Sequence, residues 1–154
     1  MDHGADYTGD YVFKVDYNHI HDYGGDIISD FGAVYITSSY PCDGASEEEL
    51  RQHCYTHARV YNNWLENSRA YANGAGYLYS DVSASGTTFQ NNVLRGAGEE
   101  ALYHHCGLDN LSVNNIVHRT GTGSYKYIWA GCETSHTDRF QRSVTMTLST
   151  HQMQ

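Results

Sequence analysis

Two carboxylates and a pair of adjacent histidines are the residues of this chain whose types and spacing best suit chemistry. Asp30 opens the run Phe31-Gly32-Ala33-Val34-Tyr35, and Asp81 closes the run Gly76-Tyr77-Leu78-Tyr79-Ser80. The runs resemble one another, so a stacked chain would carry both acids on one face. Glycoside hydrolysis uses such a pair: one carboxyl protonates the leaving oxygen, and the other attacks or activates water. His104 and His105 follow Tyr103 directly. Neighbours on a strand point to opposite faces, so one of them meets solvent and the other is expected to be buried and hydrogen-bonded. The outward one can orient a sugar hydroxyl or modulate a nearby acid, since histidine titrates near neutral pH. Asp26, Tyr79, Asp109 and Trp129 are candidates for holding substrate, the acids through hydroxyl groups and the rings by stacking. Asp109, Glu99 and Glu100, like Asp26, are also further choices for the acid pair. The alternative for a lone Asp near Gly is a turn residue that caps its own backbone.

No metal or cofactor is expected. His19 and His21 share a strand face, and His53 and His57 would share a helix face, but neither pair has an evident third ligand nearby. Cys42, Cys54, Cys106 and Cys132 form no CxxC pair, which argues against a thiolate zinc cluster. Lyase action ranks below hydrolysis, because Arg95 and Arg119 read as surface stacking after the Asn pattern rather than as a base beside clustered acids.

These side chains need a scaffold, and internal repetition points to one. Tyr17-Asn18-His19-Ile20, Tyr61-Asn62-Asn63-Trp64, Gln90-Asn91-Asn92-Val93 and Val113-Asn114-Asn115-Ile116 repeat an Asn or Asn pair ahead of a bulky residue. A second pattern, Val34-Tyr35-Ile36, Gly76-Tyr77-Leu78, Leu102-Tyr103-His104 and Lys126-Tyr127-Ile128, follows each copy in the same order. Asn tolerates left-handed backbone at a corner, and stacked Asn amides can bond in a ladder. The reading is an all-β fold, a right-handed parallel β-helix (solenoid) of few rungs. The Tyr column is expected to fill its interior. Short strands are predicted at Val12–Val15, Ala33–Thr37, Ala58–Tyr61, Gly76–Tyr79, Thr87–Gln90, Leu111–Val113 and Tyr125–Trp129. The stretch Ser143–Thr150 alternates polar and apolar as an edge or cap strand would. Residues of about 40–57 are polar and acidic, and read as one inserted loop with a short helix. Ser46 and Glu49 form a capping box there. A single domain over 1–154 is expected, as a stretch of a longer β-helix.

Bulk properties narrow the partners. The net charge is −9 and the nine Lys and Arg are scattered, so nucleic acid is not an expected partner. No apolar run approaches the length of a membrane span. Tyrosine, at 14 residues, supplies rings with an apolar body and a polar tip, suited to half-buried or sugar-facing positions. Four cysteines permit two disulfides, Cys42–Cys54 closing a short surface loop. Four reduced, buried thiols are the other reading.

Asn18-His19-Ile20-His21-Asp22-Tyr23-Gly24, Ser29-Asp30-Phe31-Gly32-Ala33-Val34-Tyr35, Asn91-Asn92-Val93 and His104-His105-Cys106-Gly107-Leu108-Asp109-Asn110 resemble right-handed parallel β-helix proteins of the pectate-lyase-like superfamily. The nearest branch is the β-helix glycoside hydrolases and their uncharacterised relatives, over roughly residues 11 to 132. The resemblance implies a polysaccharide or glycan partner, action by paired carboxylates, and a location outside the cell. One departure stands out. The branch often reads Tyr-Thr-Asp-Glu-Gly-Ser-Ser-Gly where this chain has Tyr79-Ser80-Asp81-Val82-Ser83-Ala84-Ser85-Gly86. Val82 thus replaces an acid. The alternatives to a hydrolase are a carbohydrate-binding surface module without catalysis and an inactive fragment of a longer enzyme.

Overall fold

A computed structural model describes residues 13–25, 30–38, 42, 45–68, 75–96, 100–118 and 126–131. It is built mostly of parallel β-strands. Sheet A contains β1 (Phe13–Asp16), β4 (Ala58–Tyr61), β7 (Thr88–Gln90) and β10 (Leu111–Val113) in that order. Sheet B orders β2 (His19–His21), β5 (Trp64–Glu66), β8 (Val93–Arg95) and β11 (Ile116–His118), and sheet C orders β3 (Phe31–Thr37), β6 (Ala75–Asp81), β9 (Glu100–His105) and β12 (Lys126–Gly131). The chain therefore visits the three sheets in turn, and each circuit lies parallel to the next. Ser143–Thr150 lies outside the described residues.

The corner between sheets A and B explains the repeated Asn. Two adjacent positions divide the work. Tyr17, Asn62, Asn91 and Asn114 have φ of 55°, 56°, 56° and 52°, the left-handed region that Asn tolerates better than most residues. The next residue, at Asn18, Asn63, Asn92 and Asn115, builds the ladder, with Asn63, Asn92 and Asn115 buried and Asn18 exposed. Asn63 Nδ2 donates to Asn92 Oδ1 at 3.0 Å, and Asn92 Nδ2 to Asn115 Oδ1 at 2.9 Å. The backbone N–H groups of Asn63 and Asn92 use the same acceptors. The amides of Asn63, Asn92 and Asn115 also donate to sheet A carbonyls of the preceding circuit, at Val15, Val60 and Phe89, while that of Asn18 donates to Asp16 of its own circuit. The strand that follows each turn is three residues long. Such strands were not legible as strands in the sequence, where they look like the tail of a turn.

The interior is filled by one inward residue after another. Val60 and Phe89 in sheet A, Leu65, Leu94 and Val117 in sheet B, and Val34, Leu78 and Leu102 in sheet C form the continuous core. Burying each of these side chains contributes roughly 1.5–3 kcal/mol. This core corrects the Tyr column. Sheet C pairs Tyr35 with Tyr79, Tyr79 with Tyr103, and Trp129 with Tyr103. Tyr77 and Tyr127 are thus two residues out of register with that column. The column is also not the filling. Val34, Leu78 and Leu102 take the inward positions, so the alternation of the strand turns the tyrosines outward. Tyr77 instead packs edge-on against Tyr23, and its hydroxyl donates to the Arg95 carbonyl at 2.6 Å.

The insertion sits between β3 and β4. Helix α1 (Glu47–His53) starts at Ser46, and the capping box with Glu49 is formed. Cys42 and Cys54 are joined by a disulfide. Together with Leu50 and Leu108 they make a second small core, and Arg51 reaches across to Asp109 at 2.9 Å. Cys106 is also disulfide-bonded.

Asn92 is completely buried and ties three circuits together. Replacing it with Ala removes these bonds and strands the groups that made them. Asn92→Ala should cost about 3 kcal/mol in urea unfolding, whereas Asn62→Ala, at the neighbouring left-handed position, should cost about 1 kcal/mol. Equal costs would contradict the division of roles between the two positions.

Candidate functional site

The outer face of sheet C brings together Asp30, Asp81 and His105 of the titratable residues singled out in the sequence. Tyr35, Tyr79 and Tyr103 stack edge to face along it, with ring centroids 4.8 and 4.3 Å apart. Backbone register places Trp129 opposite Tyr103, as the next member of the column. Tyr35 is 41 % exposed, while Tyr79 and Tyr103 are 3 % and 8 % exposed. The ends of the column carry the charge. Asp81 is level with Thr37 at the end of β6, and its carboxylate accepts a hydrogen bond from the Tyr35 hydroxyl. On its other oxygen it meets His105 Nδ1 at 2.6 Å.

Asp30 reaches the same aromatic pair from the opposite side. It lies ahead of β3 with φ of 55°, and its carboxylate accepts from the Tyr79 hydroxyl at 3.0 Å. Gly32 makes this approach possible. A Cβ at Gly32 would stand 2.9 Å from the Val34 carbonyl oxygen and 3.0 Å from Tyr79 Cβ, so only glycine lets β3 close on Tyr79. The bonds are crossed. The tyrosine of the first circuit holds the aspartate of the second, and the tyrosine of the second holds the aspartate of the first.

Electrostatics follow from this packing. Burial pushes the Asp81 carboxyl up, but hydrogen bonds from His105 and Tyr35 and from the Val82 backbone N–H outweigh it. The result is a pKa of about 2, so Asp81 is ionised at any ordinary pH. Burial raises both the Tyr35 and the Tyr79 phenol well above the usual tyrosine range. For Tyr35 the hydrogen bond to Asp81 adds to this, and for Tyr79 the charge of Asp81 and the bond to Asp30 do so. Both hydroxyls therefore remain donors.

The turn that carries Asp81 is strained. Ala84 N–H donates to the Asp81 carbonyl at 3.0 Å, and Val82 and Ser83 between them have φ of 47° and 58°. Two successive positive φ values define a tight turn that normally takes Asn-Gly. A β-branched residue there is an outlier, and strain of this kind concentrates at functional sites.

The two adjacent histidines separate as strand parity requires. His105 lies on the outer face with Asp81. His104 is 4 % exposed in the interior, stacked on Phe89 at 4.8 Å, with Nε2 at 2.8 Å from Ser112 Oγ. It cannot touch a ligand on the tyrosine face, so its place among catalytic candidates is withdrawn. Its Nδ1 is buried with no hydrogen-bond partner, and burial lowers its pKa to about 4.

The remaining candidates are more scattered. Asp109 accepts from Tyr55 and Arg51, and so is occupied in anchoring the insertion. Asp26 and Glu99 lie outside the described residues, and Glu100 begins β9. Arg95 pairs with His118 rather than with Arg119, which lies outside the described residues. Among the described residues, no group of three or more His, Cys, Asp or Glu could hold a metal ion. The role of Tyr35 as the partner of Asp81 was missed in the sequence, because the Tyr column was aligned on Tyr77 instead of Tyr79. No family model, curated protein or solved structure matches this chain.

Two outcomes test this geometry. Val82→Gly removes the positive-φ penalty, and should raise unfolding stability by roughly 1 kcal/mol; a loss of stability would mean the turn is not strained. The second concerns pH. His104 binds its proton more weakly in the folded than in the unfolded chain, so its contribution is fully present above about pH 6.5. It is lost progressively as pH falls toward 4, by about 3 kcal/mol in all. Asp81 has the same sign in a lower window, between about pH 4 and pH 2. His104→Gln should abolish the decline between pH 6.5 and 4 and leave the lower one. An unchanged upper decline would assign that window to other groups.

Proposed function

We propose that this chain is a right-handed parallel β-helix of the pectate-lyase-like kind that acts on a polysaccharide as a glycoside hydrolase, using the outer face of sheet C. The observation that carries the proposal is the crossed arrangement of Asp30 and Asp81 around Tyr35 and Tyr79. Glycoside hydrolysis uses two carboxyl groups flanking the scissile bond, and both of these acids bond to the same tyrosine pair. The cyclic order of three parallel sheets supports the β-helix.

The roles follow from the surroundings. Asp81, held ionised by His105 and Tyr35, cannot supply a proton. It serves as the anion that attacks the anomeric carbon or activates water opposite the leaving group. Asp30 is the second carboxyl of the pair. His105 fixes the Asp81 carboxylate, in the way a hydrogen-bonded second group orients a catalytic one. Tyr35, the exposed member of the column, offers the ring face against which the sugar chain would lie. The Cys42–Cys54 bond supports a location outside the cell, where disulfides persist.

A second reading is a glycan-binding module without turnover. It is favoured by one feature: both carboxylates already accept a phenol hydroxyl, and Val82 occupies the place where the resembling enzymes carry an acid. Product release from a panel of plant and microbial polysaccharides separates the readings. Asp81→Asn should lower the rate at least about 100-fold with the binding of substrate retained. An unchanged rate would remove Asp81 from the mechanism, and binding without product from the native chain would favour the module.

A further inference from the structure

Sheet B carries a second outward surface, on a different side from the tyrosine column. Leu65, Leu94 and Val117 point into the core, so the residues flanking them point out. They form two lanes that run up the stack. Register aligns His19, Trp64, Val93 and Ile116 in one lane, and His21, Glu66, Arg95 and His118 in the other. The first lane is largely apolar, with Trp64 45 % and Ile116 46 % exposed. The second lane offers hydrogen-bonding groups.

The lanes are joined at their centre. His19 Nε2 lies 2.8 Å from Glu66 Oε1, and Arg95 Nη1 lies 3.7 Å from Glu66 Oε2. His19 also packs edge-on to the Trp64 ring at 6.3 Å. Hydrogen bonds from His19 and Trp64 hold the Glu66 carboxyl below its usual range. The indole is therefore fixed in place while its surface stays open to solvent. Leu65 already supplies the inward packing of β5, so the fold does not need a large ring on its outer side.

Charge and spacing select the ligand. In a chain of net charge −9, this surface balances Glu66 against Arg95, which favours an uncharged partner. Stacked strands repeat at about 4.8 Å, close to the length of one pyranose unit in an extended glycan. An apolar lane for ring faces beside a polar lane for hydroxyls fits such a chain at each circuit. An aromatic side chain with one polar edge is well suited to that contact.

We propose that this two-lane face of sheet B binds an extended, uncharged glycan along the stack, with sugar rings on Trp64 and hydroxyls on Glu66 and Arg95. The proposal rests on the polysaccharide reading above but uses a separate surface, so it assigns the chain a second point of attachment to the same class of substrate.

Depletion binding to insoluble cellulose, xylan, mannan and chitin, with polygalacturonate as the acidic counterpart, tests it on the full chain. Trp64→Ala should weaken binding to at least one uncharged polymer tenfold or more, and Trp64→Phe should restore much of it. Binding unaltered by Trp64→Ala, capture of polygalacturonate alone, or no binding to any of the polymers would overturn it. So would loss of concentration-dependent self-association in Trp64→Ala, which would give the face to a second copy of the chain. Product release is read on the same polymers. Release with binding insensitive to Trp64 overturns this inference and leaves the hydrolase reading standing. Trp64-dependent binding without release does the reverse.

Discussion

The buried asparagine ladder is the constraint on which the rest of the structure depends. Where the chain leaves sheet A for sheet B, backbone N–H groups turn inward, away from water, and must find acceptors. Asn63 and Asn92 find them in the side-chain carbonyls of Asn92 and Asn115 in the following circuits. The same amides donate back to sheet A carbonyls. Because a side-chain carboxamide has a fixed reach, this exchange leaves little freedom of register. A slip of one residue would put a polar corner where Phe89 or Leu94 belongs and turn every strand inside out.

Register at that corner is transmitted to sheet C, where it decides the chemistry. Once Leu78 lies between Val34 and Leu102, Tyr79 must lie between Tyr35 and Tyr103 on the other face. The aspartates are then delivered by two local devices. Gly32 lets the start of β3 press against Tyr79, and the tight turn at Val82 and Ser83 sets Asp81 at the end of β6. Neither device is favoured by general packing. One needs the absence of a side chain, and the other places a β-branched residue in a backbone region it avoids.

The parallel, all-β arrangement was legible in the sequence because the Asn repeat marks a corner four times, and because Ser46 and Glu49 announce the helix of the insertion. The split of labour within each Asn pair was not legible. Composition alone does not tell a residue that bends the chain from one that bonds to its copies. Tyr17 shows the distinction: it takes the bending position in the first circuit with no amide at all. The Tyr column was misaligned for a similar reason. Tyr77 and Tyr79 share strand parity, and only the core packing of Leu78 against Val34 and Leu102 chooses between them. Asp81 was recognised as a candidate, but its clamp between Tyr35 and His105 needed the register of three strands. The separation of His104 from His105 followed from strand alternation alone.

The tyrosine face draws Asp30 and Tyr35 from the first circuit, Tyr79 and Asp81 from the second, and His105 from the third. No pair of neighbouring circuits contains all five. During synthesis, which proceeds from the N-terminus, the cluster is incomplete until the third circuit has closed on the second. Loosening of the first or the third circuit would dismantle it even while the second held. Competence at this face is thus a property of at least three turns acting together, and it reports on the integrity of the stack itself.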